Sequence, residues 1–100
     1  MSYFLSFTPG AKQDLKELKD SAHSEKRFKA VSKALKYLAE NPRHPSLQTH
    51  QYFSLSGPNG EKVFEAYAEQ DTPAAYRIFF YYGYGQNRGE IVVFAITPHP

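Results

Sequence analysis

The chain has 100 residues, 41% of them hydrophobic and 22% charged, and its 16% aromatic content is all Phe and Tyr, with no Cys and no Trp. One domain with an adequate core follows from that length, and the composition excludes intrinsic disorder, a disulfide scaffold, thiolate metal sites and a cysteine nucleophile. The formal net charge of +2 hides an asymmetry, because residues 1–45 hold nine Lys/Arg against five acids and residues 46–100 hold three against five, so the basic half suits nucleic acid or an acidic partner. The longest apolar run, Ile91 to Ile96, is far short of the ~20 residues that span a bilayer, and no basic region precedes the N-terminal MSYFLSF. A cytoplasmic protein without membrane contact is expected.

Tyr3 to Phe7 alternates and is rich in aromatics, as a short strand is. Thr8-Pro9 reads as an N-cap followed by proline at the first helical position, where a missing N–H costs nothing. Ala11, Leu15, Leu18 and Ala22 then recur at helical spacing, which predicts a helix to about Asp20. Ser24 can cap a second helix with Phe28, Val31, Leu35 and Leu38 as its apolar stripe and Lys26, Lys29, Lys33 and Lys36 in water, ended by Asn41-Pro42. Residues 41–60, with three prolines and two glycines, read as a long connection. After Pro-Asn-Gly, Lys62 to Glu69 alternates with Val63, Glu65, Tyr67 and Glu69 on one face. Tyr76 to Tyr82 and Ile91 to Ile96 are two further strands. The expected fold is a single α+β domain over residues 1–100, a two-layer sandwich: an N-terminal strand, a two-helix hairpin and a three-stranded antiparallel meander, giving a four-stranded sheet.

A helix hairpin covers one sheet face only, so the other is expected to be more polar or covered by a partner. Arg77 shares its side of the strand with Phe79 and Tyr81, and an arginine is seldom buried under helices. It is therefore assigned to the uncovered face, where an arginine among aromatics makes a phosphate-binding or base-stacking floor. The alternative is a cross-strand pair with Glu65. His23, His44, His50 and His99 are scattered at spacings that match no metal pair, and Gly83, Gly85 and Gly89 lie between strands, so neither a metal nor a cofactor is expected. His99 stands just past the last apolar strand in ITPHP, and histidine can give or take a proton near neutral pH.

Together, FTPGAKQDLKEL, YLAENPRHPSLQTH, SGPNGEKVFEAYAEQ, AYRIFFYYG and VVFAITPHP resemble the RelE/ParE superfamily of bacterial toxin–antitoxin toxins over essentially the whole chain. That resemblance implies a RelE-like fold and a cognate antitoxin protein as partner. It further implies a ribosome-dependent mRNA endonuclease that attacks through the RNA 2′-hydroxyl without metal. The alternatives it leaves open are a ParE-like, non-catalytic inhibitor of DNA gyrase and a degenerate antitoxin-binding domain. In the nuclease reading it implies Arg77 as the phosphate clamp and His99 as the proton donor. His50 resembles a loop histidine of one nuclease subgroup, and Glu65 an acidic residue at the start of that strand in others; either can be the base. Lys62, Phe79 and Tyr81 are expected to contact RNA.

Overall fold

The Thr8-Pro9 start behaves as its chemistry dictates: in the computed structural model, which describes residues 2–83 and 89–98, Thr8 Oγ1 accepts the Ala11 N–H at 3.2 Å. Helix α1 runs over Pro9–Asp20 and α2 over Glu25–Glu40, with Asn41 closing α2 by donating to the Tyr37 carbonyl. Ser24 occupies the N-cap position of α2, although its side chain makes no capping bond. Ala22, read into the α1 stripe, lies beyond the helix end and is exposed. Ala11, Leu18, Val31, Leu35 and Leu38 are buried, so both helices lay their apolar stripes on the same sheet face.

The sheet departs from expectation in having five strands, β1 (Phe4–Phe7), β2 (His50–Ser56), β3 (Lys62–Tyr67), β4 (Tyr76–Tyr82) and β5 (Glu90–Pro98), in the order β1-β5-β4-β3-β2. The strand missing from the four-stranded expectation is β2, which lies within the stretch read as a connection. It is an edge strand whose register slips between Gln51 and Ser56, and it leaves Phe53 and Leu55 outside. Its side chains therefore carry no burial alternation to read. β3, β4 and β5 form the expected antiparallel meander, but β1 pairs with β5 in parallel, Leu5 beside Ile91 and Phe7 beside Val93, so the sheet is mixed. Alternation specifies which face a strand buries and carries no information on the direction of its neighbour.

Ile78 and Phe80 of β4, Ala66 of β3 and Ile91, Val93 and Ile96 of β5 meet the helices in the core, with Leu47 of a short 3-10 turn (Pro45–Leu47) inserted at its rim. Because β1 stops opposite Val93, the β5 edge beyond it lacks a strand partner, and Asp14 of α1 accepts the Ile96 N–H at 3.0 Å. A register shift in β5 sets Phe79 opposite Ala95 but Phe80 opposite Val93. The extra residue, Phe94, then lies on the helix-free side with its ring 6.3 Å from Phe79 and 5.9 Å from Tyr81. Among the described residues no helix is long and apolar enough to cross a membrane.

Candidate functional site

Period-two geometry places Glu65 and Tyr67 of β3 and Arg77, Phe79 and Tyr81 of β4 on the side away from the helices, and cross-strand register sets Tyr67 beside Arg77 and His50 beside Glu65. Three of the residues singled out in the sequence therefore converge. His50 Nε2 lies 2.8 Å from Glu65 Oε1, and Arg77 Nε lies 3.9 Å from Glu65 Oε2. Glu65 is 1% exposed and Arg77 8%, while the His50 side chain is 48% exposed, so the cluster meets solvent through the imidazole.

The His50 Nδ1 lies 3.0 Å from the Gln48 carbonyl oxygen, and a carbonyl can only accept, so Nδ1 carries a hydrogen. Nε2 is then the ring atom that faces Glu65 Oε1. Arg77 Nη1 donates to the carbonyls of Glu69 (3.2 Å), Ala75 (3.2 Å) and Tyr76 (3.4 Å), and the guanidinium carbon sits 3.7 Å from the centroid of the Tyr67 ring. Its buried Nε has no hydrogen-bond acceptor among the described residues. The His50 ring meets the same tyrosine edge-on at 5.8 Å. A buried carboxylate thus sits between a permanent cation and a titratable imidazole, an arrangement able to hold and pass a proton beside a fixed positive charge.

Arg77 lies on the helix-free face as expected, but it is buried there in the pair with Glu65 that the sequence offered as the alternative. Nor is that face left uncovered: Val63 is fully buried and Phe79 is 4% exposed, with Tyr52 of β2 edge-on to Phe79 at 5.2 Å. The rings of Tyr52 and of the extra residue Phe94 supply this cover over Phe79. Phe79 accordingly presents little surface for a base to stack on. Tyr81 is partly exposed, its hydroxyl pushed above the ordinary tyrosine value first by burial and then by the negative charges of Glu61 and Glu90. Lys62 is exposed at the start of β3, opposite Ser56. His99 lies outside the described residues. Tyr67 was not singled out as a site residue, though its place on the Glu65 side of the alternation was visible. Among the described residues no group of three or more His, Asp or Glu side chains is placed to hold a metal ion.

A family model described as the ParE toxin of the type II toxin–antitoxin system parDE matches residues 5–99. No curated protein is similar to the chain at a significant level. Among solved structures, a YoeB/ParE toxin from Agrobacterium tumefaciens superposes with a TM-score of 0.68 at 9% identity, covering 97% of this chain and 99% of that one. A chain of an archaeal RelE–RelB complex from Pyrococcus horikoshii gives 0.64 at 15% identity, covering 98% and 96%. The YoeB–YefM toxin–antitoxin heterotetramer from Staphylococcus aureus gives 0.64 at 14% identity with complete coverage of both chains. These superpositions establish a shared fold.

Proposed function

The chain belongs to the ParE toxin family of type II toxin–antitoxin systems, and from that premise we propose that it is a ribosome-dependent endoribonuclease whose proton-transfer site is built on His50, Glu65 and Arg77. The observation that carries this reading is the 2.8 Å contact between half-exposed His50 and buried Glu65, with Arg77 on the carboxylate's other oxygen. Replacing buried ion clusters with apolar residues is often neutral or stabilising, so a cluster opening to solvent through a histidine points to chemistry.

Cutting RNA without metal requires three events. The 2′-hydroxyl gives up its proton to the His50–Glu65 unit as its oxygen attacks phosphorus. The charge building on the phosphoryl oxygens is met by Arg77, and the departing 5′-oxygen receives a proton, the role proposed for His99. The products are a 2′,3′-cyclic phosphate and a 5′-hydroxyl. Lys62 and Tyr81, both accessible, are proposed to contact the RNA strand, while Phe79, 4% exposed, is proposed to act only through its packing.

A second reading, a non-catalytic inhibitor of DNA gyrase, is favoured by the burial of Arg77 and Phe79 and by the ParE description of the family. The two separate on His99: His99→Ala is expected to reduce mRNA cleavage by at least roughly tenfold without moving the melting temperature, whereas an inhibitor would stay fully toxic. For either, inducible expression is expected to arrest bacterial growth and coexpression of a cognate antitoxin to relieve it, as the YoeB–YefM toxin–antitoxin assembly suggests. The exposed Phe53 (83%) and Leu55 (48%) on β2 are a fitting surface for that partner. Unimpaired growth with soluble protein present would contradict both readings.

A further inference from the structure

At the end of the sheet where α2 gives way to the 3-10 turn, Tyr3, Pro42, Arg43, Thr49, His50, Phe64 and Tyr82 enclose a cavity of about 410 Å³. We infer that this cavity binds one nucleotide, its base against the rings of Tyr3, Phe64 and Tyr82 and its phosphate on Arg43. This inference goes beyond the proposed cleavage and stands whether or not the chain cuts RNA.

Three of the lining side chains are aromatic rings already set against one another, and the lining as a whole is more polar than apolar. The Tyr82 ring lies 5.9 Å from Tyr3 at an interplanar angle of 52° and 5.5 Å from Phe64 at 73°. These walls are tied to the backbone: the Tyr3 N–H donates to the Ala39 carbonyl at 2.6 Å, the Thr49 hydroxyl to the Pro42 carbonyl at 2.6 Å, and the Arg43 N–H to Asn41 Oδ1 at 3.0 Å. The volume falls in the ~300–1,000 Å³ range of small-molecule pockets.

Chemistry at the rim selects the ligand. Among the described residues the Arg43 guanidinium makes no ion pair, and neither the Tyr3 nor the Tyr82 hydroxyl makes a hydrogen bond. Arg43 faces Tyr82 closely enough to pull its hydroxyl down, against the larger upward push of burial and that of Tyr3. One unengaged cation, hydroxyl donors and flat aromatic walls match a planar base joined to a phosphate. His50 also lines this cavity at the sheet edge, whereas Glu65, next to Phe64 in β3, faces the opposite side of the sheet.

Such a nucleotide can come from the free pool or from an RNA strand, and titration of the ¹⁵N-labelled full chain followed by amide NMR separates the two. Adenosine 5′-monophosphate is expected to give saturable shifts centred on Tyr3, Arg43, Thr49, Phe64 and Tyr82. Adenosine, without the phosphate, and ribose 5-phosphate, without the base, should each bind about tenfold or more weakly. Arg43→Gln, at an exposed position, should weaken nucleotide binding by about tenfold with an unchanged melting temperature. A short oligoribonucleotide that binds the same residues much more tightly than the mononucleotide makes RNA the source; equal binding makes it the free pool. Shifts centred elsewhere, full binding by Arg43→Gln, or a response only to an acidic, aromatic peptide would overturn the inference. A chain that binds nucleotide yet leaves transcripts intact keeps this site and loses the nuclease. One that cleaves RNA without these shifts does the reverse.

Discussion

Arg77 is held from three directions: Glu65 at 3.9 Å, the Tyr67 ring beneath its guanidinium and three carbonyls on Nη1. Removing one partner of a buried charge cluster typically costs about 3–5 kcal/mol. Because His50 remains on Glu65, Arg77→Ala is expected near the lower end, a loss of about 3 kcal/mol by urea denaturation. A loss below about 0.5 kcal/mol, the ordinary size of a surface substitution, would contradict a structural hold on this side chain. Functional tests of the cluster are therefore cleaner at half-exposed His50. Tyr82 adds a pH dependence, since burial first and Tyr3 second raise its hydroxyl above the ordinary 10.0 while Arg43 opposes them. The unfolded chain releases this proton first as pH rises, so the contribution to stability is intact below about pH 10 and declines above it. Tyr82→Phe should flatten that alkaline decline when unfolding free energy is followed against pH; an unchanged slope would show that the hydroxyl is not desolvated. At this scale the sequence was informative where period two alone decides: Glu65 and Arg77 fall on one side of adjacent strands, and their pairing was foreseeable. His50 was identified only through resemblance, because its contact with Glu65 depends on a strand that the pattern did not reveal.

Among the elements, α1 carries two anchors at the point where β1 stops. Thr8 caps the helix, and Asp14 accepts the Ile96 N–H on the part of β5 that β1 does not reach. Thr8→Ala is expected to cost about 1 kcal/mol as a lost N-cap. Asp14→Ala should cost about 1–3 kcal/mol, because it leaves a partly buried N–H without its charged acceptor. Thermal or urea unfolding of the two variants measures both, and a neutral Asp14→Ala would show that water replaces the carboxylate. Thr8-Pro9, the two apolar stripes and the strands β3 to β5 were legible because each is set by local chemistry and a clear period. The edge strand β2 and the parallel pairing of β1 were not. The first exposes Phe53 and Leu55 instead of burying them on alternate positions, and the second depends on where the helix hairpin returns the chain.

Across the molecule, charge is divided between layers. Lys26, Lys29, Lys33 and Lys36 are all exposed on α2, where Lys29 reaches Glu25 at 3.7 Å, while the sheet half carries the acidic excess. Contact with a phosphate-rich target would run through the helices and weaken steeply with salt. The chemistry is proposed to sit on the opposite side of the sheet, at His50. The most direct test maps transcript ends after induction of the wild-type chain and of His50→Gln, which keeps a polar side chain at a half-exposed position and should fold normally. The nuclease reading predicts new 5′-hydroxyl ends within translated mRNA, paired with 2′,3′-cyclic phosphates upstream, and a fall of at least about tenfold in His50→Gln, the lower range of a lost acid–base group. Growth arrest by both chains with transcript ends identical to those of uninduced cells would contradict it.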